Sequence, residues 1–137
     1  MKDKKVFIDT NVLIYTYSVD ESNKRNIAIS LFSQNNDIFI SIQVVNELVN
    51  VLSKKFLLIS DDINIKLNEI ECNCEISNIS LKLINNALIL KDRYKYSYFD
   101  SLIIASALEN DCEILYSEDM QHNQIIEDKL KIINPFK

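Results

Sequence analysis

The fold is decided by the stretch Val6-Phe7-Ile8-Asp9-Thr10-Asn11-Val12-Leu13-Ile14-Tyr15. Its leading apolar triplet predicts a short buried strand of a parallel sheet, and the apolar pattern after Asn11 predicts a helix. Asp9 would then lie at the C-terminal tip of the strand, where ligands of open α/β sheets bind. Because Asp is also a good helix N-cap, the stretch alone leaves a capping role and a binding role open.

Short apolar segments alternate with helical segments along the rest of the chain. Further strands are predicted at residues 37–40, 75–77, 113–116 and 131–133, and helices at residues 12–17, 23–32, 42–55, 63–71, 80–94 and 97–110. Asp20 or Ser22 could cap the helix at residues 23–32. This alternation is typical of an α/β domain built on a parallel sheet. No composition break or linker interrupts it, so we expect a single domain over residues 1–137.

Length and hydropathy define the general class of the protein. Its 137 residues, 47% of them hydrophobic, are enough for one domain with a real core. No apolar run approaches the roughly 18 residues that a membrane span needs. Only Val6-Phe7-Ile8 follows the charged start Met1-Lys2-Asp3-Lys4-Lys5, which is too short for the core of a signal peptide. We expect a cytoplasmic protein with no membrane partner.

Charge and unusual residue usage narrow the function classes. A net charge of −5 argues against a nucleic-acid partner, but only weakly. If four carboxylates bind a metal ion, the rest of the chain is nearly neutral and can still contact phosphate. The absence of glycine excludes phosphate-binding Gly loops and gives tight turns to Asn and Asp, as at Asn35-Asn36-Asp37 and Asn110-Asp111. Cys72-Asn73-Cys74 lacks zinc-site partners, so we expect free thiols.

Three further acids are candidates for the edge of the sheet that carries Asp9. Asp119 follows the strand at residues 113–116, and Glu47 lies beside the apolar stripe of the helix that Ser41 caps. Asp100 lies in Ser97-Tyr98-Phe99-Asp100, which has capping-box spacing. Glu47 could therefore be a rim residue that points to water. Asp100 could have a capping role alone, in which its side chain bonds back to the Ser97 amide. Both alternatives remain open beside a functional role.

Carboxylates that converge raise one another's pKa unless a cation offsets them. Mg²⁺ or Mn²⁺ suits such oxygen donors, whereas Zn²⁺ prefers His or Cys and His122 is the sole histidine. The chemistry of this kind of site is phosphoryl transfer or phosphodiester hydrolysis. A phosphatase of the haloacid-dehalogenase type would need a second Asp where Asn11 stands, which disfavours that alternative.

Four motifs, in order and over nearly the whole chain, resemble the PIN-domain ribonucleases and, among them, the VapC-type toxins of bacterial toxin–antitoxin pairs. Each motif is weak alone, and their order makes the resemblance specific. The motifs are Phe7-Ile8-Asp9-Thr10-Asn11-Val12-Leu13, Ser41-Ile42-Gln43-Val44-Val45-Asn46-Glu47-Leu48, Tyr98-Phe99-Asp100-Ser101-Leu102-Ile103-Ile104-Ala105-Ser106-Ala107 and Ile114-Leu115-Tyr116-Ser117-Glu118-Asp119-Met120-Gln121-His122.

The resemblance implies a three-layer α/β/α sandwich with about five short, mostly parallel strands. It implies a catalytic and metal-binding quartet for Mg²⁺ or Mn²⁺, with two polar residues that hold the acids in place. Glu118 is adjacent to one quartet member and is easily confused with it. The quartet is Asp9, Glu47, Asp100 and Asp119, and the supporting residues are Asn11 and Ser117.

The implied activity is endonucleolytic cleavage of RNA by a metal-activated water. The implied partners are a cognate antitoxin, which could insert an Arg among the carboxylates, and a second copy in a homodimer. The alternative is a PIN-fold module outside toxin systems, either an RNA-processing nuclease or a silent adaptor. A DNA flap nuclease is disfavoured because 137 residues leave no room for DNA-binding helices.

Two smaller questions concern the aromatic residues and the turns. Tyr94, Tyr96 and Tyr98, with Phe99, are mixed with the cations Arg93 and Lys95, so they could stack single-stranded bases or pack a loop onto the body or onto a second subunit. Family members often have Gly where Asn110-Asp111 and Asn123 stand, which puts the turn geometry in doubt.

Overall fold

The computed structural model describes residues 4–35 and 37–137. Met1–Asp3, from the charged N-terminal stretch, and Asn36, from one predicted turn, lie outside the described residues. The strands are β1 (Lys5–Ile8), β2 (Asp37–Ser41), β3 (Glu75–Ser77), β4 (Ile114–Tyr116), β5 (Ile125–Ile126) and β6 (Leu130–Ile133). The helices are α1 (Thr10–Tyr15), α2 (Ser22–Gln34), α3 (Ile42–Lys54), α4 (Ser60–Asn73), α5 (Leu81–Tyr94) and α6 (Tyr98–Glu109).

The sheet has the strand order β3-β2-β1-β4-β6-β5 and lies between two layers of helices. Five strands are parallel, and only β5 runs antiparallel, beside β6. This confirms the predicted three-layer α/β fold. The sequence did not predict β5, because an alternating pattern cannot be recognised in a strand of two residues.

Strand β1 is central, with Val6 opposite Ile38 on one side and Ile114 on the other. Its residues Val6, Phe7 and Ile8 are completely buried, as expected for a strand that helices cover on both faces. Because β1 and β4 are parallel neighbours, their C-terminal ends meet at the same edge of the sheet. The predicted site residues Asp9 and Asp119, which follow these two strands, therefore lie at the same edge of the sheet.

Side-chain caps start the helices that carry the candidate acids. Ser41 accepts a hydrogen bond from the Val44 amide at the start of α3, and Ser97 accepts one from the Asp100 amide at the start of α6. Helix α6 is buried along residues 101–107 and packs on α5. The prediction that Asp20 or Ser22 caps α2 is wrong, since Glu21 occupies the N-cap and makes no side-chain cap bond.

Turns without glycine are made at some positions by Asn and Asp and at others by larger residues. Positive φ angles occur at Asp111, as predicted, and also at Asn123 and Asp128. Leu57, Lys95 and Glu127 adopt them too, so the restriction to Asn and Asp is only partly right. Of the helices within the described ranges, none is long and apolar enough to cross a membrane. All three cysteines are free thiols, as predicted.

Candidate functional site

Asp9 lies directly after β1 and is both a helix cap and a buried carboxylate. Its amide donates to the Tyr116 carbonyl at 3.0 Å, which ties the ends of β1 and β4 together. Oδ1 accepts a hydrogen bond from the Thr10 amide at 2.7 Å, and Oδ2 accepts one from Ser117 Oγ at 2.8 Å. Capping and placement in a polar site are therefore simultaneous properties of the same side chain.

The pKa of Asp9 is raised by burial and by the acids around it. Burial raises its pKa to about 6, and the negative charges of Asp100 and Glu47 push in the same direction. The hydrogen bonds from Ser117 and the Thr10 amide oppose this rise. A buried carboxylate with acidic neighbours and few compensating donors is typical of a functional site and costs stability in isolation.

Asp100 lies in the first turn of α6 and is half-buried. Burial raises its pKa above the usual range, and the charges of Asp119 and Glu47 add to the rise, while a hydrogen bond with Ser97 lowers it. The Asp100 amide donates to Ser97 Oγ at 3.2 Å. Asp100 thus takes part in the cap and is also close enough to Asp119 and Glu47 for their charges to raise its pKa.

Glu47 and Asp119 are each held by a side-chain amide. Gln43, one helical turn before Glu47 on α3, donates from Nε2 to Glu47 Oε1 at 2.8 Å. Asn11 Nδ2 donates to Asp119 Oδ2 across the site. Gln43 was not predicted as a supporting residue, although its spacing of four residues from Glu47 places the two side chains on one helical face.

The charges of Asp100 and Glu47 therefore act on Asp9, and those of Asp119 and Glu47 act on Asp100. Within residues 4–35 and 37–137, no three side chains of His, Cys, Asp or Glu converge tightly enough to hold a metal ion by themselves. Mg²⁺ is commonly held by only one or two carboxylates together with water. The all-oxygen donor set and the raised pKa values of Asp9 and Asp100 fit a hard divalent cation.

Glu118 has a cationic partner of its own and is not among the acids that raise the pKa of Asp9 or Asp100. Its carboxylate accepts a hydrogen bond from Tyr15 at 2.7 Å and pairs with Lys24 Nζ at 2.5 Å. Burial raises the pKa of Glu118, but the hydrogen bonds from Lys24 and Tyr15 outweigh it and hold the pKa below its usual range. The two adjacent acids therefore have different partners: Glu118 pairs with Lys24 and Tyr15, and Asp119 contacts Asn11.

The tyrosines before α6 pack a loop onto the body of the domain. The hydroxyl of Tyr94 hydrogen bonds to the backbone and side chain of Glu127, and the hydroxyl of Tyr96 bonds to Gln124 and to the Gln121 amide. These contacts favour packing over base stacking for both residues. His122 Nδ1 accepts a hydrogen bond from the Asn134 amide at 2.9 Å, which is a structural contact.

An apolar groove of about 370 Å³ lies between α1, α2 and α4. Leu13, Tyr17, Ile29, Phe32 and Ile70 line it, and Glu69 adds one negative charge. The groove is separate from the acidic cluster, since its lining contains none of the four acids and none of the groups that hydrogen-bond to the carboxylates of Asp9, Glu47 and Asp119.

Comparison with known proteins places these features in a family context. The family model of the PIN domain matches residues 6–127. A search of curated proteins finds no match.

Several solved structures share the fold. A toxin–antitoxin complex from Klebsiella pneumoniae is 23% identical with a TM-score of 0.72, and the match covers 96% of this chain and 98% of that one. A sarcin–ricin-loop-cleaving VapC toxin from Mycobacterium tuberculosis is 16% identical with a TM-score of 0.68, covering 84% and 90%. A DNA-bound VapBC complex from Rickettsia felis is 22% identical with a TM-score of 0.65, covering 94% and 98%.

Proposed function

The chain belongs to the PIN domain family, and we propose that it is a divalent-metal-dependent endoribonuclease, the VapC-type toxin of a toxin–antitoxin pair. The proposed unit is a single domain over residues 1–137 that acts in the cytoplasm. The similar folds include a toxin described as cleaving the sarcin–ricin loop and complexes of toxins with antitoxins, and these support the proposal.

The observation that carries the proposal is the state of Asp9. A carboxylate that is buried at the tip of the central strand, with a pKa of about 6 and with Asp100 and Glu47 as negative neighbours, needs a cation to be ionised at low cost. A structural cap does not require these acidic neighbours. The arrangement therefore favours metal-dependent chemistry over a purely structural role.

Asp9, Glu47, Asp100 and Asp119 are the residues that would hold Mg²⁺ or Mn²⁺. When bound, such an ion lowers the pKa of a water and offsets charge on phosphate oxygens. Ser117 and the Thr10 amide orient the carboxylate of Asp9, Asn11 orients that of Asp119, and Gln43 orients that of Glu47. These contacts preorganise the acids, which is how supporting residues contribute to a metal site.

The antitoxin is the proposed protein partner. The apolar groove between α1, α2 and α4 suits the apolar face of an amphipathic helix, and Glu69 in its lining favours a basic residue on that helix. A basic side chain that reaches the acidic cluster would neutralise it and block the substrate. The expected homodimer stays a prediction, which a measured solution mass would test.

The decisive experiment is a cleavage assay on total RNA with metal-stripped protein. Cleavage should appear on addition of Mn²⁺ or Mg²⁺, disappear with EDTA, and be abolished in Asp100→Asn. The matched control is Asp92→Asn on the exposed side of α5, which should cleave as the wild type does. Undiminished cleavage in EDTA or in Asp100→Asn would overturn the proposal.

A further inference from the structure

We propose that Lys24, through Glu118 and Tyr15, is a positioning residue that sets the metal affinity of the acidic site. The inference rests on the proposed function for the identity of the site, and it concerns contacts outside the quartet. Lys24 lies in the first turn of α2, 94 residues from Glu118 in sequence, and the two charged groups meet at 2.5 Å.

The segment that carries Asp119 has no regular secondary structure of its own. It follows β4 and bends through residues 118–120, and beyond the backbone bond from Ser117 to Ile133 its contacts are made by side chains. Ser117 bonds Asp9, Glu118 bonds Lys24 and Tyr15, and the side chain of Met120 is buried. Glu118 is the residue immediately before Asp119, and its contacts thus join this segment to helices α1 and α2.

The partners of Glu118 are themselves held in place. Lys24 Nζ lies 5.0 Å from the centre of the Tyr15 ring and 5.5 Å from that of Phe136. The rings of Tyr15 and Phe136 pack edge to face with centroids 5.1 Å apart. Two hydrogen bonds and a cation–π cage therefore restrict Glu118 to one orientation, which an isolated surface ion pair would not achieve.

This geometry has a consequence for cation binding. Glu118 is adjacent to Asp119, so a free Glu118 carboxylate would lie within one residue of the proposed ligands and could compete for the cation. Pairing with Lys24 and Tyr15 compensates the charge of Glu118 and occupies its carboxylate, and it leaves Asp119 to contact Asn11. Loss of Lys24 should both loosen the segment and release a competing carboxylate.

The test compares Lys24→Met with Lys24→Arg, Tyr15→Phe and the control Arg25→Met. Methionine keeps an apolar stem over the two rings but removes the charge, and arginine keeps the charge. Arg25 is the exposed next residue of α2, so its substitution removes one positive charge from the same helix. Mn²⁺ binding to metal-stripped protein is measured by calorimetry without RNA, together with thermal melting and the kcat and KM of RNA cleavage.

Lys24→Met should weaken Mn²⁺ binding about tenfold, as other contacts that orient metal ligands do, and should lower kcat with KM for RNA unchanged. Tyr15→Phe should shift Mn²⁺ binding in the same direction by less, and it decides the matter if Lys24→Met does not fold. Lys24→Arg and Arg25→Met should bind Mn²⁺ as the wild type does.

Three results would overturn the inference. A lowered melting temperature with unchanged Mn²⁺ affinity would make the contact merely structural, and a raised KM with unchanged Mn²⁺ affinity would make Lys24 an RNA contact. A wild-type protein that binds no Mn²⁺ would overturn this inference and the proposed function together. A wild type that binds Mn²⁺ but cleaves no RNA would overturn the proposed function alone, since the binding constants still decide the role of Lys24.

Discussion

Ser117 Oγ donates a 2.8 Å hydrogen bond to Asp9 Oδ2, and this contact joins the ends of two neighbouring parallel strands through buried side chains. The two residues are 108 positions apart in sequence. The contact opposes the effect of burial on the pKa of Asp9 and restricts the carboxylate to one orientation. It is therefore the contact through which the central carboxylate of the site can be tested most directly.

We predict that Ser117→Ala lowers RNA cleavage by about 10- to 100-fold, because the carboxylate of Asp9 loses one of its two orienting donors. The substitution should also lower the free energy of unfolding by about 1–3 kcal/mol, since a buried acceptor loses a partner. Single-turnover cleavage and urea denaturation measure the two effects.

Ser106→Ala is the matched control for this change. Ser106 is equally buried, but its hydroxyl has no hydrogen-bond partner among the described residues. Its removal should leave cleavage unchanged and be neutral or stabilising. Equal losses in both variants would show that the bond to Asp9 has no special role.

The raised pKa of Asp9 predicts a specific pH dependence of metal-free stability. The folded state holds the Asp9 proton with a pKa of about 6, against 3.8 for an unperturbed Asp. Ionised Asp9 therefore destabilises the fold above pH 6, and the penalty fades between pH 6 and 4. In EDTA, Asp9→Asn should raise the free energy of unfolding at pH 7.5 by about 1–3 kcal/mol and lose this advantage at pH 4.

The control for that experiment is Asp20→Asn, at an exposed position between α1 and α2. It should change stability little at either pH. Destabilisation of Asp9→Asn at pH 7.5, or the same gain at both pH values, would contradict the assignment of Asp9 as an uncompensated buried charge.

Metal addition should act on stability in the opposite sense. Mn²⁺ at a hundredfold excess over its Kd should stabilise the wild type by about 2.7 kcal/mol, as expected for a ligand that binds only the folded state. Asp9→Asn should show little of this gain, because it lacks a ligand and the charge that the cation offsets. A thermal melt with and without Mn²⁺ measures both, and equal shifts in the two proteins would place the cation elsewhere.

Asn11→Ala should reduce cleavage about tenfold with little effect on stability. Asn11 is exposed, so its removal opens no cavity, but Asp119 loses the donor that orients it. Asn46→Ala, at an exposed position on α3, provides the comparison. Wild-type cleavage by Asn11→Ala would mean that Asp119 needs no orienting partner.

Much of the fold follows from local patterns. The predicted strands at residues 37–40, 75–77 and 131–133 lie in β2, β3 and β6, and Ser41 and Ser97 cap α3 and α6 as expected. Local reasoning failed where the pattern is too short or ambiguous, at the two residues of β5 and at the start of α2. Positive φ at Leu57, Lys95 and Glu127 also has no local sequence indication.

The sequence alone determined the order of elements and the placement of Asp9 and Asp119 after strands that end at one sheet edge. It could do so because apolar periodicity and capping residues act over a few neighbouring positions. Only the tertiary structure decided that Glu118 pairs with Lys24 while Asp119 contacts Asn11. Strand pairing brings Glu118 and Asp119 close to partners that lie 94 and 108 positions away in the sequence. No local sequence pattern indicates which of the two adjacent acids will pair with the Lys24 ammonium group.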